Sequence, residues 1–154
     1  MSMQSSSHPA LSGADSFAAS SSDLLLLVGR ILLAWLFLAS GYGKLMNIAG
    51  TTGYFNNLGM PVPGGWAWFC GFGELIIGVA LILGIATRYV AILTFFWVLI
   101  ATAIAHRYWN YPMPAQIAQY NNFLKNLAIM GGALYVLVYG AGGYSADAKM
   151  AKSG

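Results

Sequence analysis

The sequence predicts an all-α fold, an integral membrane four-helix bundle with a disordered N-terminal tail. Two observations carry this. Of 154 residues, 58% are hydrophobic and only 7% are Asp, Glu, Lys or Arg, with a mean hydropathy of +0.67. A soluble domain has about 25% charged residues, so a chain this poor in charge cannot clothe itself in a solvated surface. The apolar residues also fall into runs near the roughly 20 residues that a spanning helix needs.

Residues 1–23 differ in composition. They are rich in Ser, Ala and Gly and contain no Lys or Arg. A secretory signal wants a positive start and a shorter apolar core, so we expect a disordered tail, followed by a first helix retained in the membrane. That first span runs from Leu24 to Leu45, with Asp23 as its N-cap and Gly41 to Gly43 loosening its end. A polar, Gly/Pro-rich loop is expected from Asn47 to Gly65, with Met60-Pro61-Val62-Pro63-Gly64-Gly65 as its break. The second span, Trp66 to Ala86, opens on interfacial tryptophans. Thr87 and Arg88 form a short turn, which makes the third span, Tyr89 to Ala105, an antiparallel neighbour. An aromatic-basic segment, His106 to Pro112, leads to a fourth span, Phe123 to Tyr139. The membrane domain thus covers 24–145, and 146–154 is a short polar tail. The fourth span has the shortest unbroken apolar part, so three spans plus a partly buried helix is the competing architecture.

The same composition excludes several function classes. A net charge of +3, scattered along the chain, is no nucleic-acid footprint. The single cysteine, Cys70, cannot form an intrachain disulfide. No spacing suggests zinc, haem or an iron–sulfur centre, and there is no dinucleotide or P-loop fingerprint. No metal site and no cofactor motif are evident.

Charges retained within apolar runs are costly and therefore become functional candidates. Arg30, Ala34, Phe37, Gly41 and Lys44 share one stripe of the first helix. Ala67, Gly71, Glu74 and Gly78 share a stripe of the second, where small residues allow close helix approach. Glu74 is the only acidic residue within a span and is expected to point inward, about 12 Å from Trp66 along the axis. Lys125, Ala128, Gly132, Tyr135 and Tyr139 line up on the fourth. Chain direction brings Lys44, His106, Arg107, Asn122, Lys125 and Asn126 to one end of the bundle, with Arg30 approaching from the other.

The candidate ligand-binding set is Arg30, Lys44, Glu74, His106, Lys125 and Asn126. Each has an ordinary alternative. Glu74, which lies between Arg30 and Lys44 in depth, can be a structural partner of either, Arg30 can snorkel, the lysines Lys44 and Lys125 can anchor at the interface, and His106 can be an interfacial side chain. Cys70 reads as a packing residue. Taken together, the cations outnumber Glu74 and predict a net positive polar interior. Such an interior suits a small anion or a quinone carbonyl.

The order of these pieces resembles the DoxX family. They are Gly29-Arg30, Gly41-Tyr42-Gly43-Lys44-Leu45, Gly73-Glu74 with Gly78 and Gly84, Thr87-Arg88, His106-Arg107-Tyr108-Trp109, Asn121 to Asn126, Gly131-Gly132, and Gly142 to Asp147. The resemblance implies a four-span protein of the bacterial inner membrane, with Arg30, Lys44 and Glu74 on recurring charged positions. It also implies association with redox systems, including thiosulfate:quinone oxidoreductase and a redox-stress complex. Catalysis would need a partner redox subunit or a bound quinone. Three functions stay open: a redox-associated subunit binding a quinone or small anion, a non-catalytic scaffold or assembly partner, and a small transporter acting as a homo-oligomer. Flanking cations number three on each face, and Arg88 with the tail lysines tips the balance towards cytoplasmic termini.

Overall fold

A computed structural model describes residues 12–153. In chain order the helices are α1 (Ser12–Ser20), α2 (Ser22–Met46), α3 (Ile48–Asn57), α4 (Pro63–Leu83), α5 (Thr87–Ala105), α6 (Ala115–Tyr139) and α7 (Ala146–Ser153), with a 3-10 turn at Tyr108–Asn110 before α6. Four of them, α2, α4, α5 and α6, are long and apolar enough to cross a membrane. The three-span alternative therefore falls.

The expected stripes of α2 and α4 are the buried ones. On α2 the buried residues are Arg30, Ala34, Phe37 and Gly41. On α4 they are Ala67, Gly71, Glu74, Ile77, Gly78 and Leu81. Small residues decide how closely these two helices cross. A Cβ added at Gly41 would lie 2.7 Å from the carbonyl oxygen of Gly71 and 2.9 Å from the amide of Leu75. One added at Gly78 would lie 2.7 Å from Leu38 and 3.2 Å from the Ala34 carbonyl. Backbone-to-backbone contact of this kind drives helix association in lipid, where the hydrophobic effect between helices is absent.

The third span follows the same logic with hydroxyls. Its buried face is Thr87, Ala91, Thr94, Val98, Thr102 and Ala105. Thr94 and Thr102 donate to the carbonyls of Val90 and Val98 at 2.7 and 2.6 Å, so neither hydroxyl is left bare in the bundle. The Trp97 indole lies over Gly73, where a side chain would collide with it. One core cluster joins all four spans: Ala34, Phe37, Ile77, Leu81, Ala91, Val98, Ile129, Met130 and Val136.

Several expectations are corrected. The polar loop over 47–65 contains α3. Glycines 50 and 53 lower its intrinsic propensity, but Asn47 caps it, its side chain accepting from the Gly50 amide at 3.1 Å. Phe55 is buried. The second span begins at Pro63, a residue suited to a first helical turn. The fourth begins at Ala115, eight residues before the expected Phe123. Its polar first turns hide it from a hydropathy reading, while Tyr120 and Phe123 pack edge-on to Tyr108 at 5.0 and 5.5 Å. The buried face of α6 is Asn126, Ile129, Met130, Ala133 and Val136, not the stripe through Lys125 and Tyr135. The two stripes lie one residue apart, and the branched and thioether side chains take the inner position. Tail residues expected to be disordered form α1 within 12–20, helped by Ala14, Ala18, Ala19 and Asp15 in the first turn. Residues 1–11 of that tail lie outside the described residues. The C-terminal tail forms α7.

Candidate functional site

The α2–α4 crossing places one ion pair inside the spans. Lys44 Nζ donates to Glu74 Oε2 at 2.7 Å and to Ser40 Oγ at 2.6 Å. Gly41 makes this possible, because Glu74 Cβ would lie 3.1 Å from a side chain there. Lys44 and Glu74 keep 24% and 12% of their side-chain surface exposed. The Lys44 carbonyl accepts from Thr51 Oγ1 at 3.1 Å, which ties the end of α2 to α3. Cys70, half-buried, stands one turn before Glu74 on α4. Chemically, the pair offers an ammonium donor and a carboxylate acceptor side by side at the end of the bundle where α2 finishes.

Arg30 does not join that pair. It is 0% exposed and its two terminal nitrogens are engaged by carbonyls: Nη1 donates to Leu81 and Ile82 at 2.9 and 3.1 Å, and Nη2 to Tyr144 at 2.6 Å, while the buried Nε has no partner among the described residues. Leu81 and Ile82 are in the last turn of α4, where carbonyls lack helical partners and the dipole end is negative. A cation is well placed there. Leu81 is seven residues past Glu74, about 10 Å along the axis. Gly84 ends α4 at φ 66°, and any side chain on it would collide with the Arg30 guanidinium and Ser145.

Asp147 completes this opposite end. Its carboxylate accepts from the amides of Ala86 and Thr87 at 2.7 and 2.8 Å, capping α5, and its own amide donates to the Gly84 carbonyl at 2.9 Å. Burial alone would raise the Asp147 carboxyl, but the bonds from the Thr87 and Ala86 backbone, together with the Arg30 charge, outweigh it and hold the group below its ordinary value. Asp23 accepts from the Gly143 amide at 2.7 Å. The segment after α6 is thus fastened to α2, α4 and α5.

The remaining candidates lie on or beside α5 and α6. Asn126 Nδ2 donates to Thr102 Oγ1 at 2.8 Å within the bundle. His106 Nδ1 is 2.9 Å from Gln119 Oε1. Lys125 is exposed and donates to Asn122 at 3.1 Å. The six candidates therefore divide: Lys44 and Glu74 meet, His106 and Asn126 hold the α5–α6 seam, Arg30 secures the far end, and Lys125 lies outside. The cations are not pooled in one place: Lys44 is matched by Glu74 at one end, while Arg30 rests on backbone carbonyls at the other, with the charge of Asp147 nearby. Among the described residues no group of three or more His, Cys, Asp or Glu is arranged to hold a metal.

Sequence reasoning missed Ser40, Thr102, Gln119 and Asp147. Ser40 carried a signal, since it precedes Lys44 by one helical turn. Asp147 stands in the sequence only as the end of the Gly142 to Asp147 piece, and its capping role is hidden because its partners lie 60 and 61 residues away.

Comparison with known proteins adds relatives. The DoxX family model matches residues 25–107, and the SURF4 family model matches residues 69–152. Inner membrane protein YphA of Escherichia coli (strain K12) is 34% identical over 124 residues, which covers 80% of this chain and 89% of that protein. Inner membrane protein YqjF of the same organism is 35% identical over 125 residues, covering 81% of this chain and 91% of that protein. No solved structure matches the chain at a significant level.

Proposed function

This chain belongs to the DoxX family, and on that premise we propose that it is an inner-membrane subunit working beside a redox partner, with the Lys44–Glu74 pair receiving a quinone-type headgroup. The observation that carries the reading is the pair itself, an intramembrane ammonium 2.7 Å from a carboxylate and still partly open. A lone charge at the bilayer centre costs about 3 kcal/mol on the insertion scale. Pairing reduces that cost, and partial exposure leaves both groups reachable. A quinone carbonyl accepts from Lys44, and the hydroxyl of the reduced form donates to Glu74, so the pair suits both redox states. A simple anion suits it less, because Glu74 already balances Lys44.

The test is titration of a ubiquinone analogue into the purified protein in detergent. Saturable binding that is lost in both Lys44→Met and Glu74→Gln supports the reading. Equal binding by wild type and both variants overturns it. The inner membrane follows the relatives, and this reading takes the termini as cytoplasmic: flanking cations number three on each face, and Arg88 with the tail lysines Lys149 and Lys152 tips the balance.

A scaffold reading draws on one observation. The outer face of α4 presents exposed Trp68 and Phe72, stacked at 5.7 Å, a surface that an apolar helix of another subunit can cover. A constant partner recovered by cross-linking in native membranes, with no quinone binding, favours it.

A further inference from the structure

The end of the bundle opposite the Lys44–Glu74 pair carries a groove of about 420 Å³, lined among others by Arg88, Tyr89, Tyr139, Gly140, Ser145 and Asp147. Arg88 is the second residue of α5 and Tyr139 the last of α6, so the groove opens where two spans end, at headgroup depth. Tyr89 and Tyr139 are exposed there, as suits the boundary between hydrocarbon and water. Tyr139 stacks on Tyr135 at 6.3 Å with ring planes 7° apart, which fixes one wall.

Arg88 is held in place but not used up. It lies over Gly140, which has φ 76°, and a Cβ added there would be 3.5 Å from Arg88 Nε. Among the described residues its one hydrogen bond is a long one, Nη2 to the Val138 carbonyl at 3.4 Å, which leaves guanidinium donors to spare on a residue that lines the groove. Lys149 and Lys152 are exposed on α7, which follows directly. Among the described residues none of these three cations has a carboxylate in ion-pair reach. The acids of this end are otherwise engaged. Asp147 accepts from the start of α5 and Asp23 from Gly143. The surface therefore has cation to spare at the depth where lipid phosphates lie.

We propose that this groove is a binding site for the phosphate headgroup of an anionic phospholipid, with Arg88 as the phosphate ligand and Tyr89 and Tyr139 as the walls against the glycerol and upper acyl carbons. A guanidinium binds phosphate through parallel, charge-assisted donors. The unpaired charge of Lys149 and Lys152 adds attraction for a net negative headgroup. The site is independent of the Lys44–Glu74 pair.

The experiment measures lipid binding to the full chain in detergent, titrating phosphatidylglycerol, phosphatidylcholine and inorganic phosphate separately. Phosphatidylglycerol binds the wild type more tightly than phosphatidylcholine, and Arg88→Gln weakens it roughly tenfold, the equivalent of one charge-assisted contact. Arg88→Lys keeps the charge at the start of α5 and weakens binding by a smaller factor, which covers the case in which Arg88→Gln does not fold. Unchanged phosphatidylglycerol binding in both Arg88 variants overturns the proposal. So does equal affinity for phosphatidylcholine. Inorganic phosphate binding as tightly as the lipid makes this a free-anion site and overturns the lipid assignment. Loss of binding only in Lys149→Gln with Lys152→Gln shows diffuse surface attraction and overturns the groove.

Discussion

Lys44 and Glu74 are 30 residues apart and 2.7 Å apart in space, on two helices that touch through glycine. Neither charge is hydrated as in an ordinary surface pair, since only 24% and 12% of their side chains remain exposed. Removing one partner leaves the other charged in an apolar setting. Glu74→Gln or Lys44→Met should each destabilise the protein by about 1–3 kcal/mol, less than for a fully enclosed pair because Lys44 lies near a helix end. Lys44→Met combined with Glu74→Gln should recover most of that loss, giving a coupling of about 1–3 kcal/mol in a double-mutant cycle. Thermal unfolding in detergent reads both.

Gly41 sets the crossing that makes the pair. Gly41→Ala must push the backbone of Gly71 and Leu75 away, and neither can yield as a flexible side chain does. It should cost about 1–3 kcal/mol and weaken quinone binding as well. Gly29 and Gly131 have open space where a Cβ would go. Alanine at either should be neutral or stabilising by up to about 1 kcal/mol on helix propensity. Melting temperatures of the three variants side by side test the contrast.

Asp147 gives the opposite end a pH dependence with a definite sign. Its folded carboxyl sits below its ordinary value of 3.8. The unfolded chain therefore takes up the proton first as pH falls. The stabilisation is fully present above that ordinary value and is lost as pH drops through the lower, folded one. Asp147→Asn should flatten this part of the acid unfolding curve, and Asp147→Ala should also cost about 1–2 kcal/mol near neutral pH through loss of the α5 cap. Acid titration followed by circular dichroism in detergent measures both.

The termini assignment is open to a direct check. A fluorescent protein that matures only in the cytoplasm, fused after Gly154, should fluoresce in intact cells. A dark fusion that retains full-length protein places the termini on the other face.

Much of the bundle was legible in the sequence because lipid imposes a length and a periodicity on helices. The inward stripes through Arg30 and Gly41 and through Glu74 and Gly78 followed from spacing alone. The helix α3 and the first turns of α6 were not legible. Their residues are polar or glycine-rich, and tertiary packing of Phe55 and of Tyr120 against Tyr108 decides them. The α6 face was displaced by one residue, since Lys125 and Asn126 are polar neighbours and spacing does not say which turns inward. At the site, the Lys44–Glu74 pairing was one of two that depth allowed. Arg30 went elsewhere because the unpartnered carbonyls of Leu81 and Ile82 are an acceptor set that a reading of side chains cannot see.

The central claim, that Lys44 and Glu74 exchange their mutual bond for a quinone headgroup, is tested most directly by infrared difference spectroscopy. The protein in liposomes is compared with and without a ubiquinone analogue, and again as Glu74→Gln. A carboxylate band that shifts on addition of the quinone, and that is missing from the variant, is the predicted result. A spectrum with quinone bound but no band dependent on Glu74 would contradict the account.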